Sequence, residues 1–221
     1  VKSLSVNEKT GTLLVFLVPW PLVCLIFLLT GNLSAGVTLL WIVLVPELFC
    51  LLGWFLLSSL HTKISSSPIV IIAISGFLAL SDQIIKILFN TFFGWEKSVP
   101  IIRNAFSFKI TPNYHGSYIA SLLDVEVPAV IYLIFYPIAG FIVFLIFQHY
   151  SRKNGNTGWL NLARVFFLAA IAAAACDRIF WGYTLDYAAV KNMFVFDIKD
   201  LFANLSVLTL LAEMVKARVY R

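Results

Sequence analysis

The chain of 221 residues is 61% hydrophobic and only 12% charged, with a mean hydropathy of +0.93. A soluble domain carries about a quarter charged residues, so the composition excludes one and indicates an integral membrane protein. The net charge of +5 is spread over several loops, which suits anionic lipid headgroups and offers no aromatic-interleaved basic groove for nucleic acid.

Six segments approach the roughly 20 apolar residues that cross the hydrocarbon: 12–31, 36–60, 68–89, 128–148, 159–176 and 200–216. In lipid such runs must be helices, because every backbone polar group needs a partner within the segment. The predicted class is therefore an all-α polytopic membrane protein of about six transmembrane helices. The first apolar run has no small-residue cleavage site after it and reads as a retained helix, not a signal peptide. Pro19 and Pro21 should kink it, and Pro46 should kink the second. Glu47 lies deep in that second helix, where a lone carboxylate is either functional or protonated and bonded to a neighbour.

Lys2, Lys9, His61, Lys63, Arg152, Lys153, Arg164, Lys216, Arg218 and Arg221 fall on one side of the alternating helices. The positive-inside rule makes that side, with both termini, cytoplasmic. The other side keeps Lys97, Arg103, Lys109, Lys191 and Lys199, and most carboxylates gather there: Asp82, Glu96, Asp124, Glu126, Asp177, Asp186, Asp197 and Asp200. Between helices three and four, residues 91–127 form a long outer loop. In it Phe106-Ser107-Phe108-Lys109-Ile110 alternates as a half-buried strand does, and Pro112-Asn113 reads as a turn, so a small outer-face sheet is expected. The fifth helix is slim at its outer end through Ala169, Ala170 and Ala172 to Ala175, which suits close helix packing or a substrate groove. Cys24, Cys50 and Cys176 show no metal or redox spacing; no metal and no cofactor is expected.

The chemistry concentrates where these outer ends meet. Asp82-Gln83-Ile84-Ile85-Lys86 closes the third helix, with Asp82 and Lys86 on one face and able to pair. Asn104-Ala105-Phe106 lies in the outer loop. Asp177-Arg178 closes the fifth helix, Gly182 and Asp186-Tyr187 follow, and Phe196-Asp197-Ile198-Lys199-Asp200 opens the sixth. Adjacent residues cannot share a helix face, so Asp177 and Arg178 should reach different partners. Two carboxylates brought close can share one proton and divide acid and base work on a water molecule.

This order of motifs resembles the lipoprotein signal peptidase (signal peptidase II) family over roughly residues 68–216. The resemblance implies an aspartic peptidase at the outer boundary of a bacterial inner membrane. Its substrate would be a diacylglyceryl-modified prolipoprotein, cut before the lipidated cysteine. On that match Asp186 and Asp200 are the catalytic pair, with Asp82, Lys86, Asn104, Phe106, Asp177, Arg178 and Asp197 as supporting or substrate-binding residues. A monomer among membrane lipids is expected. Residues 1–61 would be two added helices, and 62–221 a four-helix catalytic domain. Ile101, Arg103, Ala174 and Asp197 depart from the family, which has Asn, Gly, Asn and Asn there. Two alternatives stay open: a specialised paralogue that cuts or binds another membrane peptide, and a small transporter using Glu47.

Overall fold

A computed structural model describes residues 6–33, 36–64, 66–95, 97–115 and 126–219. Lys2, Glu96, Asp124 and Arg221 lie outside the described residues. The helices are α1 (Val6–Leu17), α2 (Pro19–Leu29), α3 (Val37–Leu60), α4 (Pro68–Phe92), α5 (Ala129–Asn154), α6 (Gly158–Phe180) and α7 (Ile198–Val219). Four strands, β1 (Ser98–Ile102), β2 (Phe106–Asn113), β3 (Thr184–Val190) and β4 (Phe194–Phe196), make one antiparallel sheet in that order.

Among the described residues, five helical stretches are long and apolar enough to cross a membrane: Glu8–Leu29, Thr38–Leu60, Pro68–Phe92, Ala129–Asn154 and Gly158–Phe180. The sixth expected span, α7, has the length, but Lys199 and Asp200 at one end and Glu213 and Lys216 at the other shorten its apolar stretch. The first span is interrupted at Val18, because Pro19 and Pro21 cannot donate to the helix ladder. By contrast, α3 remains one helix through Pro46.

The core lies between α6 and its neighbours. Trp159, Leu162, Phe166 and Ala169 pack with Phe202 and Ala212 of α7, Phe16 of α1 and Leu57 of α3. Ala163, Ala169 and Ala173 are fully buried, so the alanines serve close helix packing. Interhelical hydrogen bonds accompany it: Ser75 Oγ donates to the Val165 carbonyl at 3.0 Å, and Ser206 Oγ to that of Ala163 at 2.9 Å. Gly158 opens α6 against the end of α3, where a Cβ would meet the His61 carbonyl oxygen at 1.5 Å. On α3 and α5, apolar side chains such as Leu48, Phe49, Phe55, Ile134, Phe135 and Phe141 are exposed, as on lipid-facing helices.

The sheet corrects one detail of the sequence reading. Pro112-Asn113 is not a turn but the end of β2, with Pro112 opposite Leu185. β1 pairs with β2 as far as Lys109, and past that point no described strand lies on that edge of β2, where Pro112 is tolerated without an N–H to donate.

Candidate active site

Asp186 reaches the site from the middle of β3. Alternation along the strand puts Leu185 and Tyr187 into an apolar cluster with Phe89, Phe93 and Phe108, and turns Asp186 to the opposite face. Tyr187 stacks on Phe89 with ring centroids 4.6 Å apart. The neighbouring strand contributes Asn113, whose Nδ2 donates to Asp186 Oδ2 at 3.0 Å.

Asp200 arrives from the first turn of α7 through a reciprocal cap. The Asp200 N–H donates to Asp197 Oδ1, and the Asp197 N–H donates to Asp200 Oδ2, both at 3.2 Å. This capping box, with Asp197 before the helix and Asp200 three residues on, satisfies two otherwise orphan donors. It also fixes the side chain of Asp200. One carboxylate oxygen from each of Asp186, Asp197 and Asp200 lies within 4.8 Å of the others.

Behind these three lies a second, deeper group. Lys86 Nζ is 2.7 Å from Asp82, Asp177 and Asp197, all with fully buried side chains. The expected Asp82–Lys86 pair along α4 is thus present and widened into a tertiary cluster. Gln83 Nε2 donates to Asp177 Oδ1 at 2.8 Å and to Asp82 Oδ2 at 3.1 Å. Asp82, Asp177 and Asp197 also converge closely enough to hold a cation. The ammonium of Lys86 fills that role. Lys199 links the groups: its ammonium contacts Asp197, lies 3.3 Å from Asp186 Oδ1 and 3.5 Å from Asp177 Oδ2.

Burial in this setting acts on every carboxylate by disfavouring its charge. It raises Asp186 above the usual carboxylate range, helped by the charge of Asp197 and opposed by Lys199 and Asn113. Asp197 is also pushed up by burial, but Lys199 and Lys86 outweigh this and hold it below the usual range.

Arg178 turns away from Asp177, as adjacency requires. Its guanidinium donates to the Gly182 carbonyl at 3.4 Å and lies 4.3 Å from the centre of the Tyr132 ring. It thereby ties the end of α6 to α5 and to the turn entering β3. Gly182 has φ +77°, a backbone conformation other residues adopt with strain.

Asn104 and Phe106 are not brought to this cluster. Phe106 pairs with Val190, four residues along β3 from Asp186, and packs against the cluster of Cys24 on α2, Ile42 on α3 and Leu33 between them. Asn104 is exposed in the β1–β2 turn and accepts from Lys191 Nζ at 3.1 Å. Three residues not singled out from sequence belong to the site: Gln83, Asn113 and Lys199. Lys199 carried a signal, since it immediately precedes Asp200; Asn113, across the sheet from Thr184, carried none.

The family model for signal peptidase (SPase) II matches residues 72–216, most of the chain. The chain belongs to the signal peptidase II family. That match begins within α4 and takes in every group of the cluster from Asp82 to Asp200, whereas α1 to α3 precede it. Two solved structures, both described as bacterial membrane enzymes determined by the in meso method, share the fold. The one at 2.3 Å resolution has a TM-score of 0.52 at 18% identity, covering 66% of this chain and 87% of the other. The one at 1.9 Å gives 0.51 at 16% identity, covering 65% and 91%. No curated protein matches the chain.

Proposed function

We propose that the chain is an aspartic endopeptidase that removes signal peptides from lipid-modified prolipoproteins, cutting before the lipidated cysteine. The observation that carries this reading is the approach of Asp186 and Asp200, on separate elements, at one end of the helices. In such a pair one carboxylate takes a proton from water as it attacks the scissile carbonyl, and the other donates to the carbonyl oxygen. Collapse of the tetrahedral intermediate returns a proton to the leaving amine. Asn113 and the α7 cap hold the two carboxylates in place for these transfers. The deeper cluster of Asp82, Lys86, Asp177 and Asp197, with Arg178 on its flank, orders the segments that carry them. Asn104, in the β1–β2 turn, and Phe106, at the start of β2, serve as supporting residues of the sheet, away from the chemistry.

The basic residues Lys9, Lys63, Arg152, Lys153 and Lys216 lie at the end of the helices opposite the cluster. This favours cytoplasmic termini and a site at the outer face of a bacterial inner membrane. It also makes α7 the sixth crossing, despite its charged ends. Residues 62–221 form the catalytic unit and 1–61 an added pair of membrane helices. Every group of the site comes from one chain, in keeping with a monomer.

The test is cleavage of a diacylglyceryl-modified prolipoprotein by the purified protein in detergent, beside Asp186→Asn and Asp200→Asn. Cleavage by the unmodified protein and loss in both variants is expected. Full activity in either variant would sink the assignment.

A further inference from the structure

We infer that Lys199 is a positioning residue that makes Asp186 the ionised member of the pair and leaves Asp200 as the proton donor. The inference rests on the peptidase reading of that pair. Burial disfavours a charge on either aspartate, so the difference between them comes from their donors. Asp186 has one on each oxygen: Lys199 on Oδ1 at 3.3 Å and Asn113 on Oδ2 at 3.0 Å. The ammonium favours a carboxylate, because it has no acceptor for a protonated oxygen, and the Asn113 N–H adds to this in the orientation found. Asp200 accepts the backbone N–H of Asp197 at 3.2 Å; the charge of Lys199 reaches it too, but among the described residues it forms no ion pair, so the direct ammonium contact is on Asp186 alone.

Lys199 is itself held for this task. It is 8% exposed and is braced by Asp197 and Asp177, each already engaged with Lys86. The remaining ionisable groups around it are Asp200 on its own helix, Asp82 behind Lys86, the Tyr187 hydroxyl on β3, Tyr136 on α5, and Arg178 at the end of α6. None of these contacts Asp186 in place of Lys199. The helix N-terminus does favour an anion at Asp200. That effect is weaker than an ammonium in direct contact.

Lys199→Met removes the cation with little change in bulk. The acid limb of the kcat/KM–pH profile is expected to move up by about one unit or more, and Lys199→Arg to return it close to the original position. An unmoved limb in an active Lys199→Met protein would overturn the inference. If Lys199→Met does not fold, Asp197→Asn/Lys199→Met removes one charge of each sign. Compared with Asp197→Asn alone, its limb is expected about one unit or more higher, and limbs that coincide in these two variants again overturn the inference.

Infrared difference spectra read the pair without turnover. At neutral pH a protonated-carboxyl band should vanish in Asp200→Asn and persist in Asp186→Asn; the reverse pattern also overturns the inference. Should the unmodified protein fail to cleave, the peptidase reading falls, while the spectra still decide which aspartate carries the proton.

Discussion

Replacing Asp197 by Asn tests the electrostatics of the site most directly, because it removes a charge and keeps the shape. Asparagine caps helices as well as aspartate does, so the bond from the Asp200 N–H and the start of α7 should survive. Lys86 keeps Asp82 and Asp177 as partners. What changes is the field at the pair. A unit charge within 4.8 Å of Asp186 contributes about 3.5 kcal/mol at an effective dielectric of about 20. At about 1.4 kcal/mol per unit, that corresponds to about 2.5 pKa units. Part of this is returned as Lys199 relaxes towards its remaining partners, which leaves about one to two units. The sign is fixed: losing a neighbouring anion stabilises the carboxylates, so both limbs of the activity profile should move to lower pH. The measurement is the pH dependence of kcat/KM for prolipoprotein cleavage by the two proteins under one detergent condition. An active Asp197→Asn protein whose limbs coincide with those of the unmodified chain would refute the reasoning.

Other substitutions probe separate parts of the architecture. Lys86→Met leaves three buried carboxylates without their shared cation and should destabilise by about 3–5 kcal/mol; thermal unfolding in detergent would read this. Asn113→Ala removes a hydrogen bond to a charged group, worth about 1.5–3 kcal/mol. It should lower kcat/KM roughly ten- to a hundredfold in a protein whose unfolding temperature is nearly unchanged. Asp197 is held below its usual range, so it contributes stability that is complete above about pH 4 and lost as pH falls through its folded value. Unfolding temperature against pH should therefore be flatter on the acid side in Asp197→Asn. Phe194 packs edge-on to Trp20 and Phe27 at centroid distances of 6.0 and 6.4 Å, and Phe194→Ala should loosen the sheet from the added helices. The expected signs are faster amide exchange in β3 and β4 and a loss of activity exceeding the loss of stability.

What could be read in the sequence was whatever helix geometry dictates locally. The spacing of Asp82 and Lys86 foretold their pairing, the adjacency of Asp177 and Arg178 foretold their separate partners, and Pro19 and Pro21 foretold the break at Val18. Asp200 at the head of a helix was equally plain. Less visible was the strand that presents Asp186: Gly182 and Asn192 mark turns on either side, but residues 184–190 between them are ordered by pairing with β2. Lys199 was read as one more outer-face basic residue. Only the convergence of α4, α6 and β3 shows that its ammonium has nowhere to go except among carboxylates. Asn104 and Phe106 show the opposite limit: their motif is local, but their distance from the carboxylate cluster is set by strand register.

The cluster also bears on how such a chain enters a bilayer. Each element that brings an acidic group to the site from a helix brings a basic one with it: Asp82 with Lys86 on α4, Asp177 with Arg178 on α6, and Asp200 with Lys199 on α7. A lone charged residue costs about 2.5–3.5 kcal/mol at the centre of an inserting helix. Here α4 and α6 each carry a balanced pair at the end that bears the site, and on α7 Lys199 offsets one of the two carboxylates, Asp197 and Asp200, that open the helix. Insertion can then proceed one helix at a time, and the exchange of partners that builds the site waits until the last of them arrives.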